Sequence, residues 1–292
     1  MKKVITRRDF MKNSAYAVLG SAIGLSSVQG EAKKSRVVLI RDADALDENF
    51  SINEKTIQKM LDESVMALFD QDNPVKVFKS LLKPNDVVGI KSNVWNYLPT
   101  PVELERSIKR RVINAGVQEK NISINDREVR KNPVFQKATA LINVRPMRTH
   151  YLAGMSGCMK NLITFSEKWH EIHPNNCAEM GRLLNLPMVK GKVRLHILCL
   201  LTPQFHGRGP HHFNRRYVWS YKGLLVGTDP VAVDTLGLQI LMAKRKEHFG
   251  SKYRLSPIPR YIEIADKKYK LGTSDLNKID LVKLGWKENI LI

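Results

Sequence analysis

From residue 36 onward, short apolar β-branched runs alternate with longer stretches in which apolar residues recur every three or four positions. Arg36-Val37-Val38-Leu39-Ile40 predicts a first strand. Ile57, Met60, Leu61, Ser64, Val65 and Leu68 then fall on one face of a helix, because such steps stay on one side of a helical turn. A second strand is predicted over 86–91, a helix over 102–115 ended by Gly116, and strands over 121–124 and 140–144. Later come strands over 193–201 and 223–226, helices over 230–246 and 259–269 with Gly272 as the stop, and a last strand over 280–283. This alternation predicts an α/β fold, a mostly parallel sheet flanked by helices, as a single large domain or two tightly packed α/β lobes. The span 154–210 is the least regular part. Irregular segments beside a sheet are where sites gather.

Ahead of the first strand the pattern is different. Thr6-Arg7-Arg8-Asp9-Phe10-Met11-Lys12 precedes an uncharged run over 15–28 that is rich in Ala, Gly and Ser. Paired arginines, a large apolar residue, a lysine and then a short apolar run form the pattern of a twin-arginine export signal. A core helix would not collect its charges at one end and carry none along fourteen residues. Gly30 and Ala32 offer small residues for cleavage, so the expected division is a signal over 1–32 and an α/β domain over 33–292. The expected address is periplasmic, with the twin-arginine machinery as a partner. That route carries proteins that fold before crossing, often with a cofactor or partner already loaded.

Charge and cysteines narrow the classes. The first 32 residues hold five Lys/Arg and two Asp/Glu, so the remaining 260 hold 43 against 26, a net +17. The excess is spread along the chain, with short clusters such as Lys109-Arg110-Arg111. A diffuse positive surface attracts polyanions of any kind. No basic motif interleaved with aromatics appears, so no nucleic-acid partner is expected. Cys158, Cys177 and Cys199 are too few for a self-contained four-cysteine iron–sulfur cluster, and they allow one disulfide whose pair the spacing does not choose. No other cofactor is identified by composition.

Several segments carry candidate chemistry. Gly223 to Asp234 reads as strand, turn and helix start: Gly-Leu-Leu-Val-Gly-Thr-Asp-Pro-Val-Ala-Val-Asp. Asp229 before Pro230 is explained first as a helix cap with proline at the first helical position. Asp234 lies in a stretch apolar on nearly every side, where a carboxylate needs a cation, donor or metal. Lys91-Ser92-Asn93 leaves the carboxyl end of a strand, the edge where α/β sheets bind ligands, and suits a carboxylate or phosphate. His150-Tyr-Leu-Ala-Gly-Met-Ser-Gly-Cys-Met-Lys-Asn161 combines Gly154 and Gly157, which permit close backbone approach, with a cation and an amide at a helix start. His150 suits a general base or a metal ligand. His206, His211 and His212 in a Gly/Pro loop, and His170, His173 and Cys177, invite a metal reading, but neither makes a strong zinc pattern and both read as surface loops.

Taken together, the 88–93 segment, the 150–161 block and the 223–234 run stand in the order and spacing of the domain-of-unknown-function 362 family, which this chain resembles across most of residues 33–292. The resemblance implies fold and site position more than reaction. Two departures stand out: Arg148 where relatives often have lysine before Thr-His, and Leu198-Cys199-Leu200-Leu201 where many have an acidic Asp-Gly pair. The ferredoxin-like cysteines of some relatives are absent. The expected site holds an anionic small molecule or cofactor, with His150, Lys160 and Asp234 as catalytic residues. Lys91, Asn93, Gly157, Asn161 and Asp229 form the expected cofactor-binding set, and no metal ligands are assigned. An exported oxidoreductase or isomerase is the leading expectation. The alternative is a non-catalytic cofactor- or metal-binding protein, or a maturation partner of an exported redox enzyme.

Overall fold

Asparagine and aspartate start the main helices. Asn53 caps α1 (Glu54–Phe69), Asn73 caps α2 (Pro74–Leu81), Asn132 caps α4 (Pro133–Gln136) and Asp229 caps α6 (Pro230–Phe249). In each, the side-chain oxygen accepts from backbone N–H groups of the first turn that have no helical partner. α2, α4 and α6 also place proline in the first turn, where its missing N–H costs nothing. α3 (Val102–Asn114) starts without a side-chain cap. Two further helices are α5 (Cys158–Asn161) and α7 (Tyr261–Lys267), and a kinked helical turn spans Pro174–Cys177.

The computed structural model describes residues 34–207, 209 and 213–292. The expected export signal and its boundary with the domain lie outside the described residues, as do His211 and His212. Among the described residues no helix is long and apolar enough to cross a membrane. All three cysteines are buried free thiols.

Eight strands make one sheet: β1 (Ser35–Arg41), β2 (Val88–Lys91), β3 (Ile122–Asn125), β4 (Ala140–His150), β5 (Gly154–Ser156), β6 (Val193–Gln204), β7 (Gly223–Gly227) and β8 (Ile279–Gly285). Their order is β3-β2-β4-β6-β7-β1-β8, with β5 paired to the far end of β4. Six run in one direction; β7 and β5 oppose their neighbours. The fold is therefore a single α/β domain on a mostly parallel sheet.

Alternation along the strands builds two apolar layers. Val38, Ile40, Ile90, Ile142 and Ile197 face α1, α2 and α3; Val37, Leu39, Leu141, Leu198 and Leu225 face α4, α5, α6 and α7. The chain passes from β2 to β3 through α3 in the first layer and from β3 to β4 through α4 in the second. β3 and β4 thus flank β2 on opposite sides, so the strand order reverses at the carboxyl ends of β2 and β4. Such a reversal of strand order is the position where α/β sheets bind ligands.

The short helices α2 and α4, the strand β5 and the length of β4 were not anticipated. α2 is too short to display a period, and β5 has only three residues. β4 runs to His150, well past the expected end, through Arg145-Pro146-Met147-Arg148-Thr149, a stretch of low strand propensity. Pro146 fits because the pairing with β6 is irregular between Pro146 and Arg148, so no ladder donor is required there.

Candidate functional site

β2 stops at Lys91 while β4 continues, which leaves strand carbonyls without ladder partners. The Asn161 side chain fills the gap: its Nδ2 donates to the Lys91 carbonyl (3.2 Å), the Val144 carbonyl (3.0 Å) and Asn143 Oδ1 (2.8 Å). Its Oδ1 accepts from Asn93 Nδ2 at 3.3 Å. Lys91 is fully buried and donates to the Ser92 carbonyl (2.7 Å) and to Asp126 Oδ1 (2.5 Å). Asp126, just beyond β3, also accepts from the Val94 N–H at 2.9 Å. Burial pulls Lys91 down to about 8 against the attraction of Asp126. Burial alone would raise Asp126, but Lys91 and the Val94 N–H outweigh it and hold the carboxyl below its ordinary value.

Beyond this pair lie three more buried cations. Arg145 donates through Nε to the Pro146 carbonyl (3.1 Å), and its Nη2 has no partner. Arg148 lies over the Trp95 ring, 4.2 Å from its centroid, and donates to Asn93 Oδ1 at 3.2 Å, while its Nε is unpartnered. Burial lowers both guanidinium pKa values, yet an arginine keeps its proton in proteins. Lys160 of α5 donates to His173 Nε2 at 3.0 Å; burial lowers the amine to about 8 and the imidazole to about 4. Of these four cations only Lys91 is in an ion pair among the described residues.

His150 stands beside this group, and its surroundings set its role. Its Nδ1 accepts from the Leu152 and Ala153 N–H groups at 3.2 and 3.3 Å, so the neutral ring carries its proton on Nε2. Burial and the neighbouring Lys160 and Arg148 charges lower its pKa to about 2. The ring is therefore a neutral donor. It has no free basic nitrogen with which to take a proton.

Asp234 meets the start of α5. Its carboxylate accepts from the Cys158 N–H (2.6 Å), the Met159 N–H (3.1 Å) and the Tyr261 hydroxyl (3.4 Å). Gly157 allows that approach, since a Cβ there would strike the carboxylate. Gly154, at φ +72°, is pressed against the Pro257 carbonyl in the same way. The expected anion cradle at the helix start is thus occupied by the protein's own carboxylate. Burial raises Asp234 to about 7. Asp229 lies elsewhere: β7 runs opposite to its neighbours, so the turn after Gly227 emerges at the amino edge of the sheet. There Asp229 accepts from Ser35 Oγ (2.7 Å) and the N–H groups of Val231, Ala232 and Thr273 (2.8, 2.9 and 3.0 Å).

The structure therefore brings Lys91, Asn93, His150, Lys160 and Asn161 together at the carboxyl edge, sets Gly157 and Asp234 beneath them as support, and leaves Asp229 at the opposite edge. Arg145, Arg148, Asp126 and His173 join the group without having been picked out as site residues. The available signal was a pair of arginines, Arg145 and Arg148, directly after the apolar run of β4. Among the described residues no three His, Cys, Asp or Glu side chains gather as metal ligands. A cleft of about 610 Å³ opens beside His150, lined also by Thr149, His206, Phe213, Tyr217 and Arg245. His150 is the residue common to the cleft and the buried cations.

Fold and site define an α/β domain with a buried, cation-rich cluster at the carboxyl edge of its sheet. Residues 108–239 match the model of the family described as domain of unknown function (DUF362), which supports the domain family to which the three segments point. The match spans Asp126, Arg145, Arg148, His150, Lys160, Asn161 and Asp234, and ends short of Lys91 and Asn93 on the amino-terminal side. No curated protein and no solved structure gives a significant match.

Proposed function

We propose that this is an exported protein that binds an anionic small molecule or cofactor beside Lys91, Arg145, Arg148, Lys160 and His150. One observation carries the reading: four cations are buried together against two buried carboxylates, of which Asp126 is spent on Lys91 and Asp234 on α5. Buried charge without compensation is costly, and an anion of the right shape supplies the compensation. Proton chemistry at the ligand falls to Lys160, whose amine near pH 8 is paired with neutral His173. His150 donates from Nε2 to a ligand oxygen, and Asp234 holds α5 in place. An oxidoreductase or isomerase acting on the anion fits this division of labour. Export rests on the N-terminal sequence.

Thermal melting of the full chain tests the binding step. Sulfate, phosphate, succinate and malate are each compared with chloride at equal ionic strength. At least one should raise the midpoint by several degrees, and Lys160→Met should remove the response. Stabilisation only by neutral compounds, or an unchanged response in Lys160→Met, would sink the reading. The binding or maturation-partner alternative draws support from Val94, Tyr97 and Trp169, exposed apolar side chains near the same edge. A second polypeptide co-purifying in fixed ratio with the full chain would favour it.

A further inference from the structure

Arg148 has in-register neighbours on both sides: Ser156 on β5 and Gln204 on β6. Residues opposite one another on adjacent strands project to the same face, so the three side chains form a row. All three are more than nine-tenths buried, at 6 %, 1 % and 0 % exposure. Each carries polar atoms without a partner: Arg148 Nε, Ser156 Oγ, and both Oε1 and Nε2 of Gln204. Orphaned groups of this kind are rare in folded proteins, and four in one row across three strands mark a place built for polar company. None of the three residues lines the cleft, and two aromatic rings link the row to it. Phe213 lines the cleft and packs on Trp95 at 5.7 Å, and Trp95 carries Arg148 on its face.

The demands of the row are specific. Arg148 Nε, the Ser156 hydroxyl and the Gln204 amide N–H ask for acceptors, and a carboxylate's two oxygens supply them beside a fixed positive charge. Gln204 Oε1 asks for a donor, whichever way its amide is turned. A sulfate or a phosphate diester offers only acceptors and leaves that oxygen unpaired. An ammonium group would supply the donor but would add a fifth cation to four. A hydroxyl adds none.

We propose that Ser156, Arg148 and Gln204 form a subsite for the carboxylate and neighbouring hydroxyl of a small hydroxycarboxylate. The proposal rests on the anion-binding reading above and names its ligand class. Arg148 and Ser156 take the carboxylate, and Gln204 accepts from the hydroxyl. The remaining cations lie further along the same cluster, where a second carboxylate would meet Lys160.

Calorimetric titration of the full chain with matched pairs tests it: malate against succinate, lactate against propionate, with inorganic phosphate alongside. The hydroxylated member of at least one pair should bind about tenfold tighter, the worth of one buried hydrogen bond. Gln204→Leu should bring that ratio to about one, weakening the hydroxylated member by about tenfold more than its deoxy partner. Arg148→Gln should weaken both members by about tenfold or more. Equal affinities in the wild type would overturn the subsite, and that comparison needs no variant to fold. A ratio that survives Gln204→Leu in a protein of unchanged melting midpoint would overturn it as well. Phosphate binding more tightly than every carboxylate would overturn the subsite and leave the anion-binding reading standing. No heat with any anion would overturn both.

Discussion

The two edges of the sheet handle polar groups in opposite ways. At the amino edge, Asp229 accepts four hydrogen bonds, from Ser35, Val231, Ala232 and Thr273, and Gly272 closes over it so tightly that a Cβ would collide with the carboxylate. Its bonds tie the start of α6 to β1 and to the segment leading into β8. At the carboxyl edge, Arg145, Arg148, Ser156 and Gln204 are more deeply buried than Asp229, yet each keeps a polar atom unpaired. One edge spends its polar groups on the fold, and the other leaves several of them unpaired. A protein gives up stability in that way where a ligand is to be met.

Substitutions should separate the edges. The largest loss is expected from Asp126→Ala, which leaves Lys91 buried without its counter-charge; about 3–5 kcal/mol should disappear in urea unfolding. Asp229→Ala removes a cap and a tertiary junction at the other edge. It should cost about 2 kcal/mol while leaving anion binding unchanged, so loss of binding there would blur the contrast. Acid comes next. His150, and His196 buried on β6 beside the Asn143 amide, are held neutral by burial, at about 2 and about 3, and take up protons on unfolding below about pH 6.5. Asp234, raised to about 7, works the other way and favours the fold as pH falls towards 4. The balance is one proton taken up on unfolding, with half-exposed His173 adding in the same direction. Stability should therefore fall by about 1.4 kcal/mol per pH unit below 6. A urea midpoint that stays flat from pH 6 to 4.5 would show that the histidines are not held neutral. The smallest effect on stability is expected from Lys160→Met, which removes a buried cation that has no ion-pair partner. Stability should stay within about 1 kcal/mol of wild type, or rise, while the anion response is lost.

The same contrast explains what could be read in advance. Strand–helix alternation predicted the layers because burial on both faces of a parallel sheet leaves nearly continuous apolar runs at 37–40, 140–144 and 195–201, broken by Asn143 and His196. Capping was visible at Asp229 because the cap and the proline after it are local. The direction of β7 was not visible, since nothing within Gly223–Gly227 records which neighbours it pairs with. Asp229 was for that reason grouped with residues that the fold puts at the far edge. Asp234 was legible as a buried carboxylate, but its partners are the N–H groups of Cys158 and Met159, which any residue types could have provided. His150 was legible as a titratable ring near cations; its tautomer depends on two backbone N–H groups just after it. The Ser156–Arg148–Gln204 row depends on the pairing of β4 with β6, some distance away in sequence, and has no local signature.

The most direct test of the cationic edge as a binding site is calorimetry at pH 8 in two buffers of different ionisation enthalpy, using whichever of sulfate, succinate or malate stabilises the full chain most. An anion docking beside Lys160 and Lys91, both about 8 in the free protein, should raise their pKa values and draw protons from the buffer. The account predicts uptake of a substantial fraction of a proton per anion bound, reduced in Lys160→Met. Binding heats identical in the two buffers would mean that the anion sits away from these amines, and would contradict the account.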